Sequence, residues 1–212
     1  MFSHRCGLTD EDLNRRWVNP DPVTHSVIYH TKGLLEFSSR VLKKVPFVYC
    51  DFHGHSRRKN VFMYGCASKE SWLDSDRDSV QESSFDYLVL GHLMQKYCSA
   101  FNLPLCHFRV ERNRESTARI TVWREFGVRR SYTLEASYCG CDQGVYKGYH
   151  FDTLHLLEVG ANFGVALSNL AEETLKRLDG MDNKMIERLD HFSHKETSPG
   201  FSTEDASKDE DS

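Results

Sequence analysis

A short apolar run at residues 47–52, preceded by Pro46 and followed at once by a dense polar cluster, most constrains what this chain can fold into. The run is apolar almost throughout rather than alternating, which is typical of a central strand covered by helices on both faces. Apolar residues at near-helical spacing precede it over 27–42 and follow it over 84–99 and 152–192. Helices interleaved with strands predict an α/β fold.

Three further segments are β-prone, namely residues 107–111, 118–124 and 131–138. In the second of them apolar and polar side chains alternate, as they do on a half-buried strand. The Ser- and Asp-rich segment 71–84 has the composition of a surface loop. We therefore expect these strands to join the central one in a single sheet.

Length and charge bound the class of protein. With 212 residues the chain is long enough for one sizeable core, which we place at 1–192. Residues 193–212 are polar and acidic, so we expect a disordered tail there. From residue 195 onward two lysines face six acids, which leaves 25 basic and 25 acidic side chains before it. Because the basic and acidic side chains before residue 195 are equal in number, the sequence disfavours nucleic acid as a partner.

The sequence also indicates a compartment. No stretch approaches the ~18 uncharged apolar residues of a membrane span, and the first residues lack the apolar run of a secretory signal. Seven cysteines, an odd number, are scattered through predicted core segments, which favours a reducing compartment. Cys139 and Cys141 lack the CxxC spacing and the second pair of a cysteine zinc site. We expect a soluble cytoplasmic protein that does not bind membranes.

The densest group of chemistry-bearing side chains, residues 51–60, stands where the predicted central strand leaves the sheet. Ligands of open α/β sheets bind outside the carboxyl ends of strands, and a neutral imidazole of His53 or His55 would ligate zinc well there. The alternative is that both histidines are hydrogen-bonded caps of the strand. An HxH motif of a barrel hydrolase is disfavoured, because a (β/α)8 barrel takes about 250 residues.

Two other segments carry candidate side chains. Arg15, beside Asn14, presents a planar fork that can grip a carboxylate or phosphate, although the segment could equally be a solvated turn. Glu135 lies inside an otherwise apolar segment, and burying an unpaired carboxylate costs several kcal/mol. It is therefore paired, or a general base near a metal, or an outward-facing acid on a half-exposed strand.

Taken together and in this order, three segments resemble the later two-thirds of the catalytic domain of the cytosolic carboxypeptidases, the intracellular branch of the zinc metallocarboxypeptidases. The segments are DLNRRW, VYCDFHGHSRRKNVFMYGC and ESTARITVWREFGVRRSYTLEASYCGCDQG, and the resemblance runs from about residue 4 to about residue 168. It implies an incomplete three-layer α/β/α sandwich around a mixed sheet. It also implies a zinc-dependent enzyme that removes C-terminal or branched glutamates from glutamate-rich protein tails, notably those of tubulin.

The resemblance also assigns roles to particular residues. It implies zinc ligation by His53, general acid/base catalysis by Glu135, anchoring of the substrate's terminal carboxylate by Asn14 and Arg15, polarisation of the scissile carbonyl by Arg5, and pairing with an acidic substrate side chain by Arg119. By the same resemblance, His55 is expected to lie behind the ligands rather than among them.

The chain departs from the family pattern at its start. Family members take two further zinc ligands from a His-x-x-Glu motif that precedes the DLNR segment, and none stands before Asp12 here. His25 and His30 are substitutes without a family precedent, and a catalytic zinc normally needs three protein ligands. The absent segment would also contribute early strands, which predicts an exposed sheet edge. Two hypotheses follow, a zinc carboxypeptidase domain represented by its C-terminal part and an inactive form that only binds acidic tails.

Overall fold

The computed structural model describes residues 6–7, 9–78 and 85–178. In this part of the chain the main helices and strands are, in chain order, α1 (Ser26–Glu36), β1 (Tyr49–His55), β2 (Val61–Tyr64), α2 (Asp74–Asp78), α3 (Asp86–Tyr97), α4 (Ala118–Phe126), β3 (Ser131–Ser137) and α5 (Thr153–Leu178). A π-helical turn, Phe37–Val41, extends α1. The predicted acidic tail and Arg5 lie outside the described residues.

The three strands form one mixed sheet in the order β1-β3-β2. β1 and β3 run parallel, with Tyr49 opposite Ser131 and His55 opposite Ser137. β2 runs antiparallel to β3, with Val61 opposite Ala136. This agrees with the mixed α/β sheet that the resemblance implies.

The central strand of the described sheet is β3, so the prediction that residues 47–52 form a central strand is wrong. Among the described residues β1 pairs with β3 alone. Its Phe52 is 58% exposed and contacts α5 through the ring of Phe163, at a centroid distance of 5.1 Å. The run is apolar because one of its faces packs against that helix; no strand of the described residues pairs with its outer edge.

Helices cover the sheet on both faces and give the three layers of an α/β/α arrangement. On one face Met63, Tyr132 and Leu134 are at most 1% exposed and pack in the same cluster as the apolar side chains of α3 and α5. On the other face α4 packs beside β1, in a smaller cluster that contains Val122 and Trp17. Most of the apolar core therefore lies on the α3 and α5 side.

Residues 118–124, predicted as a strand, belong to helix α4. The helix begins where Asn14 Oδ1 accepts a hydrogen bond from the backbone N–H of Ala118, at 2.9 Å, and ends at Gly127, whose φ of 68° is left-handed. Ala118, Val122 and Phe126, spaced four residues apart, are buried along one stripe. Long-range capping and burial override the β propensity of the segment.

Two other predictions need correction. Residues 107–111 are not a regular strand, and their β-pairing with other described residues is limited to isolated bridges, from His107 to Tyr64 and from Val110 to Ser71. The predicted loop 71–84 contains the short helix α2, and its residues 79–84 lie outside the described part.

All seven cysteines are free thiols. Four of them, Cys66, Cys98, Cys106 and Cys141, are buried. No helix among the described residues is both long enough and apolar enough to span a bilayer.

Candidate active site

The candidate site is centred on His53 and Glu135, which lie directly opposite each other on the parallel strands β1 and β3. Neighbouring strands are about 4.8 Å apart, and opposite residues point to the same face of the sheet. Both residues lie near the carboxyl ends of their strands, where open α/β sheets bind ligands. The His53 side chain is 35% exposed and Glu135 is half-buried. An imidazole and a carboxylate therefore face one partly open surface.

The Asp51 carboxylate contacts the ring of His53 at hydrogen-bond distance. The two residues are two apart on β1, so they share a face, and Asp51 Oδ2 lies 3.0 Å from His53 Nε2. The Asp51 side chain is 16% exposed. Sequence reasoning did not single out Asp51, although the i, i+2 spacing on a strand is a signal that could have identified it.

His55 has a structural role in the turn after β1. Its Nδ1 accepts hydrogen bonds from the backbone N–H groups of Arg57, at 3.0 Å, and Arg58, at 3.3 Å. Its ring lies 5.1 Å from the ring of Phe62. For His55, the alternative of a hydrogen-bonded cap of the strand agrees with the structure.

Asn60 fixes the same turn against the segment that follows β3. It adopts a φ of 72°, in the left-handed region that Asn tolerates better than most residues. Its Oδ1 accepts from the backbone N–H of Asp142 at 3.0 Å, and its Nδ2 donates to Asp142 Oδ1 at 2.8 Å. Asn60 is 2% exposed, so this pairing holds the ends of β1 and β3 together from inside the protein.

The predicted carboxylate anchor lies in a short 3-10 turn, Leu13–Arg15, that is capped by Asp12. The side-chain oxygen of Asn14 binds the first backbone N–H of α4, at Ala118. Arg15 Nη1 donates to the carbonyl of Asn14 at 3.1 Å and lies 3.8 Å from Asp12 Oδ2. The turn is thus attached to the end of α4 that carries Arg119.

Arg119 is a buried cation, with 6% of its surface exposed. Its guanidinium donates to the carbonyl of Gly65, lies 3.5 Å from Cys66 Sγ, and stands 5.9 Å from the ring centroid of Tyr64. Burial raises the pKa of the Cys66 thiol to about 11, against the opposing effect of the Arg119 charge. Within the described part of the chain no carboxylate forms a salt bridge with Arg119. A buried guanidinium of this kind favours an acidic partner.

Tyr64 connects Arg119 to the His53 and Glu135 pair. On β2 it lies opposite Thr133, two residues from Glu135 and on the same face. The pKa of the Tyr64 hydroxyl is raised, and burial is the largest cause. The Glu135 charge also raises it, whereas the Arg58 and Arg119 charges lower it. The strand register puts Tyr64 on the face of Glu135, and Arg119 lies over the Tyr64 ring, so the two predicted site residues lie on the same side of the sheet.

The described residues supply part of a metal site. They include no group of three His, Cys, Asp or Glu side chains that could hold an ion. His53 suits one ligand position, because a metal-binding imidazole characteristically donates its other N–H to a carboxylate. His25, considered as a substitute ligand, is 8% exposed and engaged by Glu11 at 2.6 Å, so it stabilises the start of α1 instead.

One His-x-x-Glu spacing does occur in the chain, at His155 and Glu158, after the DLNR segment rather than before it. Both residues lie on α5, which packs on the face of the sheet opposite His53. His155 Nδ1 is 2.7 Å from Asp152 Oδ1, and Glu158 accepts a hydrogen bond from the Tyr146 hydroxyl. This pair caps and supports α5 and does not join the candidate site.

Comparison with known sequences gives close relatives. The chain is 51% identical over 177 residues to cytosolic carboxypeptidase 1 of Xenopus laevis and 50% identical over 179 residues to that of Homo sapiens, in each case 81% of this chain and 14% of the relative. It is 42% identical over 200 residues to cytosolic carboxypeptidase 4 of Mus musculus, which is 90% of this chain and 18% of the relative. No protein-family model matches the chain.

Solved structures show the same fold. A metallo-carboxypeptidase from Pseudomonas aeruginosa, in complex with (2-guanidinoethylmercapto)succinic acid, superposes with a TM-score of 0.61 at 16% identity, over 80% of this chain and 42% of that one. A metallo-carboxypeptidase from Burkholderia cenocepacia gives 0.59 at 14% identity, over 80% and 40%. The chain spans about one seventh of the length of its sequence relatives, and over that stretch it is homologous to the cytosolic carboxypeptidases.

Proposed function

We propose that this chain carries the base-bearing and substrate-anchoring part of a zinc carboxypeptidase site that removes C-terminal or branched glutamates from acidic protein tails. The observation that carries the proposal is the in-register pairing of His53 with Glu135 on parallel strands, on the face that also bears Tyr64 and Arg119. Homology to proteins named cytosolic carboxypeptidases supports the same reaction class.

In this proposal Glu135 is the general acid/base. Its carboxylate takes a proton from a water molecule as the water oxygen adds to the scissile carbonyl carbon. It then delivers that proton to the amide nitrogen as the C–N bond breaks and the terminal residue leaves as a free amino acid. The half-buried position of Glu135 suits both steps, because the carboxylate is reachable yet partly withdrawn from bulk water.

His53 would be one ligand of the zinc ion, with two more needed that the described residues do not supply. When bound, zinc would polarise the scissile carbonyl as a Lewis acid. Arg5, which lies outside the described residues, is the proposed side chain that stabilises the charge developing on the carbonyl oxygen.

Substrate selection is assigned to two cationic positions and one amide. Asn14 and Arg15 would bind the free terminal carboxylate through the amide and the planar fork of the guanidinium. Arg119 would pair with the side-chain carboxylate of a terminal glutamate. Its burial strengthens such a pairing, since a charge removed from water interacts more strongly with its partner.

The partners follow from this specificity. We propose glutamate-rich protein tails, with tubulin tails as the leading candidate, and no nucleic acid or membrane surface. Because the relatives are named cytosolic carboxypeptidases, we place the protein in the cytoplasm, where it would meet microtubules.

A second candidate function is metal-independent binding of acidic tails without hydrolysis. It is favoured by one observation, that the described residues bring together a single imidazole ligand and no three-ligand group. Binding would then use Arg15 and Arg119 alone among the described candidates.

The test compares binding and turnover in the 212-residue chain. A peptide that ends in several glutamates is incubated with the purified chain and zinc, and free glutamate, peptide affinity and bound zinc are measured. A peptide with an amidated C-terminus is the matched control. Zinc-dependent glutamate release from the free-carboxylate peptide supports the carboxypeptidase. Carboxylate-dependent binding without zinc and without release supports the second candidate, and equal affinity for both peptides contradicts both.

A further inference from the structure

Asp51 lies in a position that its own surroundings do not explain. Its side chain is largely buried on β1, and within the described part of the chain His53 is the hydrogen-bond partner of its carboxylate. Its second oxygen, Oδ1, is buried and makes no hydrogen bond there. Burying a carboxylate with so few donors is unfavourable for folding. A contribution to folding stability therefore does not explain why a carboxylate lies at position 51. An interaction with His53 does explain it.

The charge of Asp51 acts on its neighbours through a poorly solvated region. Burial raises the pKa of the Tyr49 hydroxyl and of the Cys50 thiol, and in both cases the Asp51 charge is the next largest contribution in the same direction. The His53 imidazole lies 3.0 Å from the same carboxylate, so the two groups interact directly although the ring is 35% exposed.

We propose that Asp51 is a positioning residue that fixes the tautomer and the ring orientation of His53, so that Nδ1 is the nitrogen presented to the metal. An ionised carboxylate only accepts hydrogen bonds, so the proton between the two side chains belongs to His53 Nε2. The neutral ring then has its lone pair on Nδ1. This inference rests on the proposed role of His53 as a metal ligand.

The neighbouring histidine shows that the arrangement is specific to position 53. His55 shares the face of β1, but its Nδ1 is already the acceptor for the backbone N–H groups of Arg57 and Arg58. Among the described residues, His53 makes this contact through Nε2 and His55 makes its contacts through Nδ1. A carboxylate sets the first and backbone amides set the second.

The test measures the ring tautomers directly. Long-range ¹H–¹⁵N spectra of the metal-free 212-residue chain, recorded at about pH 8.5 where an ordinary imidazole is neutral, distinguish Nε2–H from Nδ1–H rings. We expect the Nε2–H form for His53 in the unmodified chain. In Asp51→Ala we expect a mixture of tautomers at His53 and no change at His55, which is the internal control.

A second measurement connects the tautomer to the metal. Zinc ions alone are titrated into the chain, and we expect the Nδ1 resonance of His53 to move, with an apparent affinity 10- to 100-fold lower in Asp51→Ala. Asp51→Asn retains an oxygen that can accept from Nε2 and should recover part of the loss.

Three outcomes overturn the inference. They are an Nδ1–H ring at His53 in the unmodified chain, an unchanged tautomer in Asp51→Ala, and zinc binding through Nε2. The first needs no variant, so the inference can be tested even if Asp51→Ala does not fold. Because the tautomer is read without metal or substrate, a chain that shows no carboxypeptidase activity but has the expected ring sinks only the proposed function.

Discussion

The two faces of the sheet differ in what they contribute. The face toward α3 and α5 is apolar and closed, with Met63 and Leu134 at most 1% exposed. On the opposite face, α4 packs beside β1 near Tyr49, while His53 and Glu135 farther along the strands keep access to solvent. Because successive residues of a strand point to opposite faces, Leu134 and Glu135 are adjacent in sequence and separate in role. Folding free energy comes mainly from the first face, and the proposed chemistry belongs to the second.

The largest effect is expected from Glu135→Gln. Replacing the carboxylate removes the proposed base and nearly preserves size. In a chain that carries the other two zinc ligands, zinc-dependent glutamate release should therefore fall by about 10²- to 10⁴-fold while peptide affinity changes little. Initial rates and peptide titrations on the same preparations measure the two quantities. Activity above about one hundredth of the unmodified chain would exclude Glu135 as the base.

Leu134→Ala tests the opposite face. Deleting a fully buried leucine next to α3 and α5 should lower the free energy of unfolding by about 2–5 kcal/mol, through lost burial and the cavity left behind. Denaturant titration followed by circular dichroism measures it. Glu135→Gln is the matched control and should lower stability by less than Leu134→Ala does. Equal losses in the two variants would remove the distinction between the faces.

Asn14→Ala should have a smaller effect on stability than Leu134→Ala. Asn14 both caps α4 and belongs to the proposed carboxylate anchor. Its side-chain oxygen satisfies the first N–H of α4, so the alanine variant should lose about 1 kcal/mol of stability. Asn14→Asp keeps the acceptor and should retain that stability. It also brings a negative charge to the proposed carboxylate anchor, so affinity for the glutamate peptide should fall. A peptide affinity unaffected in Asn14→Asp would take this residue out of the anchor.

Local sequence patterns predict most of the described elements. Periodicity alone indicates α1, α3 and the described part of α5, and the apolar or β-prone runs indicate β1 and β3. Helix α4 escapes such reasoning because its first N–H is capped by Asn14, about a hundred residues earlier, while Ile120, Thr121 and Val122 favour a strand locally. A cap supplied from a distant segment leaves no trace in the local sequence.

In the candidate site, too, some features can be predicted from the sequence and others depend on the fold. His53 and Glu135 can be singled out from their residue types and from the family resemblance, but their pairing depends on a strand register between segments 82 residues apart. Asp51 could have been found from the alternation of β1, since positions 51 and 53 share a face. The burial of Arg119 beneath Tyr64 could not, because its segment was assigned to the wrong secondary structure.

The smallest expected effect is a pH dependence on the site face, at His107. His107 as a whole residue is exposed, but its ring stacks on Tyr64 at a centroid distance of 6.3 Å. Desolvation of the ring, followed by the Arg58 charge, lowers the pKa of the imidazole, and the exposure keeps the effect small. The folded chain therefore binds this proton less readily than the unfolded chain. Stability should be complete above the ordinary histidine pKa of about 6.5 and should fall as the pH drops below it. His107→Gln should flatten that part of the profile, seen as a smaller decrease in Tm between about pH 7.5 and 5.5. If the two profiles coincide, the acid sensitivity of stability comes from other titratable groups and not from the imidazole of His107.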